Sequence, residues 1–257
     1  MKVNSIKPVK YDPQALFVFE NNYIYHITLE SPNASPKSVI SQTTKAKINP
    51  HTSPIPAGCN SVIVRLSNTD PKTGINNANR VENEVACMTL ARQALAGSVY
   101  SHIIPDIYAW QSISEGQGFI MMQFMEGEVP NKALKKMGLD AKSVVFRQMA
   151  EILALIQKFE IPKTIESFGG LKVNLDGEAI SAEMTLRVGE PSASYGDLIR
   201  SLVAGKLEEA DNNPVIKGWN ENRLRTRLDR FIEFGLPQML ENLKNQRKVL
   251  VHSDFSK

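Results

Sequence analysis

Two cysteines in 257 residues, Cys59 and Cys87, are too few and too isolated to form a disulfide framework. Neither has a second cysteine or a histidine at metal-ligand spacing, so reduced thiols in a cytoplasmic setting are the expectation. Long hydrophobic runs are also missing. The longest, GFIMMQFM (118–125), is far short of the roughly 20 apolar residues that span a bilayer. The amino-terminal MKVNSIKPVKYDP lacks the apolar stretch of a signal peptide. No excess of one charge stands out, because 30 Lys and Arg face 27 Asp and Glu, a net charge of +3. The densest basic cluster, Arg223, Arg225, Arg227 and Arg230, is interrupted by Glu221, Asp229 and Glu233 and reads as a solvated helix face. With no basic block interleaved with aromatics, neither nucleic acid nor membrane is an expected partner. The phosphate loop G-x-x-x-x-G-K-[ST], the dinucleotide fingerprint G-x-G-x-x-G and the nucleophile elbow G-x-S-x-G are all absent. His26, His51 and His102 stand alone and read as surface or packing histidines.

What is present is an ordered set of elements. LFVFENNYIYHITL (16–29) is rich in β-branched and aromatic residues and is interrupted by Glu20-Asn21-Asn22, which suggests two strands and a tight turn. The proline- and serine-rich segment that follows, within residues 31–60, reads as a long exposed insertion. SVIVRL (61–66) is a third strand with Arg65 near its end. RVENEVACMTLARQAL (80–95) reads as a helix with Val81, Val85 and Met88 on one face and Cys87, Leu90 and Ala94 beside them. PDIYAW and GFIMMQFM are two further strands.

From residue 140 the pattern becomes helical. In DAKSVVFRQMAEILALIQKF, Val145, Met149, Ile152, Leu153 and Ile156 form one stripe, with Asp140 as the expected N-cap. FGGLKVNLDGEAISAEM suggests a short hairpin, and SYGDLIRSLVAGKLEEAD and NENRLRTRLDRFIEF two more helices. Leu224, Leu228, Phe231 and Ile232 are the expected apolar face of the second, with GLP (235–237) breaking it. KVLVH is expected to be a final strand.

The order of these pieces resembles the protein-kinase-like fold, and in detail the aminoglycoside phosphotransferase and choline kinase-like family. The resemblance is carried by VIVRL, NRVENEVACMTLAR, IPDIYAW, FIMMQFMEGEVP, VIKGWNENRLRTRLDRFIEFGLPQML and VLVHSDFSK, most clearly from Ser61 onward. It implies an α+β, two-lobed architecture. Residues 1–125 would be an amino-terminal lobe of antiparallel sheet plus helix, and 126–257 an incomplete, mainly helical carboxy-terminal lobe.

By the same resemblance, Arg65 would hold the α- and β-phosphates of ATP, at a position where the family more often has lysine, and Glu84 would hold Arg65. Glu82 competes with Glu84 for that role. Backbone groups near Gln123 and Met125 would bond the adenine edge, with Met121 and Met122 packing on its face. The Glu20-Asn21-Asn22 turn would stand where kinases place a glycine-rich loop, but it has no glycine. HSDFSK (252–257) resembles the catalytic loop, with Asp254 as base toward the acceptor hydroxyl and His252 orienting the loop. The family's asparagine and its Mg²⁺ ligands would fall beyond Lys257, so the chain reads as a fragment ending within the catalytic loop. The implied activity is transfer of the ATP γ-phosphate to a hydroxyl of a small molecule. The alternative is a non-catalytic pseudokinase or a nucleotide- or protein-binding module.

Overall fold

The computed structural model describes residues 2–9, 22–30, 49–69, 76–128, 130–185, 190–216, 223–241 and 246–251. Its first half is an antiparallel sheet of five strands in the order β1-β2-β3-β5-β4. These are β1 (Val3–Pro8), β2 (Asn22–Leu29), β3 (Ser61–Ser67), β4 (Ile107–Gln111) and β5 (Phe119–Gln123), with helix α1 (Arg80–Leu95) between β3 and β4 in the chain. β3 is central and aliphatic, and its valines and isoleucine suit a pleated surface covered on both sides.

Strand pairing separates the side chains into two faces. Arg65 lies opposite Ile24 and Ile120, and Ile63 opposite His26 and Met122. Those residues share the face that α1 covers, where Val81 and Val85 pack with Ile107, Trp110 and Ile120, and Met88 and Met122 lie against them. On the other face Val62, Leu29 and Tyr108 form a core with Val64, Met121, Ile55 and Cys59.

Two expectations about this half are revised. β2 takes β1 as its outer partner, with Ile6 opposite Ile27 and Pro8 opposite Tyr25. The expected first strand of a 16–29 hairpin, and the Glu20-Asn21 part of its turn, lie outside the described residues. Residues 49–53 of the expected exposed insertion are anchored to the sheet, whereas Pro54, Pro56, Ala57, Gly58 and Asn60 are exposed as expected. Asn49 donates to the Trp110 carbonyl at 2.7 Å, the Trp110 indole N–H donates to the Pro50 carbonyl at 2.8 Å, and the Ser53 N–H reaches the Ile107 carbonyl at 2.8 Å. An indole N–H that is buried requires an acceptor, and the Pro50 carbonyl supplies it.

The second half comprises α2 (Pro130–Lys136), α3 (Leu139–Lys158), a hairpin of β6 (Gly170–Val173) and β7 (Ala179–Ala182), α4 (Tyr195–Asp211), α5 (Leu224–Arg230) and α6 (Leu236–Glu241). The chain is thus α+β, with a sheet-rich first half and a mainly helical second. The β6–β7 hairpin packs on α1, where Ala86 and Leu90 meet Leu171, Ala179 and Ile165. Among the described residues no helix is long and apolar enough to cross a membrane.

Three further expectations are revised here. Asp140 lies in the first turn of α3, and Gly138 is its N-cap; a carboxylate there still faces the positive end of the helix. GLP does not break the helix. A π-helical turn, Phe231–Gly235, joins α5 to α6. Pro237 cannot donate a backbone hydrogen bond to the preceding turn, and the wider π turn, in which the Leu236 N–H reaches the Phe231 carbonyl, lies immediately before it. A Cβ at Gly235 would come within 2.7 Å of the Phe231 ring, so a larger residue there would displace that ring. The described part of the expected final strand, up to Val251, is irregular and joins no sheet. It is fastened by side chains instead, with the Lys248 ammonium donating to the Ile165 and Glu166 carbonyls at 2.6 and 2.7 Å.

Candidate functional site

The structure brings Arg65 and Glu84 into an ion pair between β3 and α1. The pair follows from two local periodicities. Alternation along β3 turns Arg65 to the same face as Ile63, beneath α1. On α1, Val81 and Val85 are buried against the sheet, and Glu84 projects from the same turn toward the end of β3. The side chains are 20% and 23% exposed, so the pair is partly shielded from solvent. A guanidinium–carboxylate pair of this kind is worth roughly 1 kcal/mol, and removing one partner strands the other in a poorly solvated place. Glu82, the competing carboxylate, does not meet Arg65. Its Oε2 is buried without a hydrogen-bond partner among the described residues.

Helix α1 is tied down at both ends. At its carboxy-terminal end Arg92 forks onto Asp106 at 2.6 Å and onto the Pro105 carbonyl at 2.5 Å. Asp106 in turn meets Gln123. The Gln123 N–H donates to the Asp106 carbonyl at 2.8 Å, and the Asp106 N–H donates to Gln123 Oε1 at 3.2 Å. The segment expected to meet an adenine edge is therefore coupled, through Asp106 and Arg92, to the helix that carries Glu84. The Gln123 N–H is committed to this contact, and Met125, two residues on, is 39% exposed.

At its amino-terminal end α1 is held by asparagines. Asn83 Oδ1 accepts the Leu171 N–H of β6 at 2.7 Å. Asn79 donates its amide to the Glu183 carbonyl, and Asn76 donates to the Glu183 carboxylate at 2.6 Å. Asn79 is the N-cap of α1, yet its side chain makes no capping bond and its Oδ1 is buried without a partner among the described residues. A forgone cap costs about 1 kcal/mol, and a buried unpaired carbonyl about as much again. Gly170 is part of the same contact, because a Cβ there would lie 2.1 Å from the Glu183 carbonyl oxygen.

Met121 and Met122 point to opposite faces, Met122 into the core under α1 and Met121 toward Val62 and Tyr108, so they do not share one ligand face. On the Arg65 face, His26 stacks on Phe124, with ring centroids 4.2 Å apart and planes 24° from parallel. His26 lies opposite Ile63, and Phe124 follows β5 directly. Sequence reasoning missed this pair, whose only signal was the alternation of β2. Cys87, on α1, is pushed up to about 11 by burial, which disfavours the thiolate.

His252 and Asp254 lie outside the described residues. Among the described residues no three His, Cys, Asp or Glu side chains gather as a metal site. A cavity of about 430 Å³ lined by Phe168, Tyr195, Arg200, Pro237 and Leu240 shares no residue with the Arg65–Glu84 pair. Comparison of the chain with protein-family models, with curated proteins and with solved structures finds no match.

Proposed function

We propose that the chain carries the nucleotide-binding part of a small-molecule phosphotransferase of the aminoglycoside phosphotransferase-like kind. The observation that carries this reading is the Arg65–Glu84 pair joining the third strand to the helix beside it. Phosphoryl transfer depends on positioning and charge stabilisation, and a strand cation fixed by a helix carboxylate is a recurring means of holding nucleotide phosphates. Arg65 would present its guanidinium to the α- and β-phosphates, and Glu84 would restrain its rotamers. Asp254 would orient and deprotonate the acceptor hydroxyl, with His252 holding the loop, and ATP would be the donor. The test is transfer of radiolabelled γ-phosphate from ATP to a panel of hydroxylated small molecules. Turnover that disappears in Asp254→Asn supports the reading, and turnover undiminished in that variant removes Asp254 from it.

A second reading, a module that binds nucleotide or protein without catalysis, is favoured by one observation. The His26–Phe124 stack lies beside Ile63 on the Arg65 face, an aromatic surface near the ion pair on which a base or a partner side chain would pack. ATP binding of equal strength with and without Mg²⁺, together with no transfer to any acceptor, would select this reading.

A further inference from the structure

We propose that the β6–β7 hairpin is a clamp that sets the position of α1, and that Asn79 and Asn83 are the positioning residues through which it keeps Glu84 on Arg65. The consequence for phosphate binding rests on the nucleotide reading above; the clamp itself does not.

Asn76, Asn79 and Asn83 recur at spacings of three and four, which brings successive residues to one side of a helix and of the turn leading into it. All three are bonded to the hairpin or to the chain leaving it. Asn83 meets the Leu171 N–H, Asn79 the Glu183 carbonyl, and Asn76 the Glu183 carboxylate, while the Asn76 N–H reaches the Thr185 carbonyl at 2.8 Å. Asn83 immediately precedes Glu84, so the bond to β6 fixes the helical turn from which Glu84 projects.

The apolar contacts complete the clamp from the next turns. Ala86 and Leu90, both almost fully buried, pack on Leu171 and Ala179. The His51 ring bonds the Gly177 carbonyl at 2.6 Å, which ties the tip of the hairpin to the segment packed under Trp110. The side-chain choice at Asn79 is the most informative detail. An asparagine at a helix N-cap ordinarily accepts an amide of the first turn. Here its Oδ1 makes no capping bond and is left unpaired, while its Nδ2 donates to Glu183, the residue that follows β7. Local rules are broken in this way where a position serves something other than local stability.

The test is a double-mutant cycle for Arg65→Met and Glu84→Gln, read by chemical denaturation without nucleotide, in three backgrounds. These are the native chain, Asn83→Asp, which keeps the acceptor oxygen, and Asn83→Ala, which removes it. The coupling factor between Arg65 and Glu84 is expected to fall about threefold or more in Asn83→Ala and to be retained in Asn83→Asp. Adding Asn79→Ala to Asn83→Ala is expected to abolish it. A merely structural role lowers the denaturation midpoint in each background and leaves the coupling unchanged, and that result overturns the clamp. Equal loss in Asn83→Asp and Asn83→Ala also overturns it. Because no nucleotide is present, the cycle can succeed where ATP does not bind and fail where it does.

Discussion

The sheet with α1 and the helices after residue 130 are built from chains of similar hydrophobic content but are packed to different degrees. Of the 16 residues of α1, five are buried: Val81, Val85, Ala86, Leu90 and Leu95. Of the 20 residues of α3 only Ile156 is buried, although its apolar stripe is the more regular of the two. On α5 and the π turn the expected apolar face stands partly in solvent, with Leu224 at 43%, Leu228 at 37% and Phe231 at 39% exposure. A helix is buried by what covers it, and periodicity alone does not supply the cover. Helix α1 lies between a sheet on one side and the β6–β7 hairpin on the other. The Arg65–Glu84 pair sits in the half where side chains are held.

The first way to break this comparison is to cut equal-sized holes in both halves. Leu90→Ala, in the core shared by α1 and the hairpin, is expected to cost about 4 kcal/mol, and Ile156→Ala about 2 kcal/mol. Equal costs by urea denaturation would mean that α3 is as firmly packed as α1. Next is Gly170→Ala, which drives a Cβ onto the Glu183 carbonyl oxygen and is expected to cost roughly 2–3 kcal/mol by the same measurement. A smaller effect is expected on raising the pH. The Cys87 thiol lies above its unfolded value of 9.0, at about 11, so burial of the neutral thiol contributes fully below pH 9. That contribution is lost as the pH rises toward 11, and Cys87→Ala should flatten this part of the stability profile.

The smallest effect belongs to the exposed end of α4. Ser194 Oγ accepts the Asp197 N–H at 3.0 Å and donates to the Asp197 carboxylate at 2.6 Å. Ser194→Ala should cost about 1 kcal/mol. The Ser194 hydroxyl, and then Arg200, hold the Asp197 carboxyl below its ordinary value. Its contribution is therefore present above the ordinary carboxylate range and is lost as the pH falls through the lowered value. Circular dichroism at neutral and acid pH, with and without Ser194, checks the sign.

Elements with a strong period were legible in the sequence. α1, β3 to β5 and the β6–β7 hairpin fall where the alternation and helical spacing put them. Edge and surface features were not. β1 has no buried residue and ends in proline, so its pattern carried little of the core-facing alternation that marks a strand. Residues 49–53 have the composition of an exposed loop, and only the need of the Trp110 N–H for an acceptor reveals why they pack. VLV near the end has the composition of a strand, but β-propensity expresses contacts with neighbouring strands, and residues 246–251 join no sheet. Of the candidate site, Arg65 and Glu84 were legible as a strand cation and a helix acid. The asparagine clamp was not, because asparagine in a sequence signals a cap or a loop, and its partners lie some ninety to one hundred residues away.

The central claim, that Arg65 held by Glu84 is a phosphate-binding cation, is tested most directly by calorimetric titration. ATP and adenosine are titrated in parallel into the native chain and into Arg65→Met. The account predicts that the substitution weakens ATP binding about tenfold or more, the equivalent of about 1.4 kcal/mol, and leaves adenosine binding unchanged. ATP bound equally well by both proteins, or by neither, would contradict it.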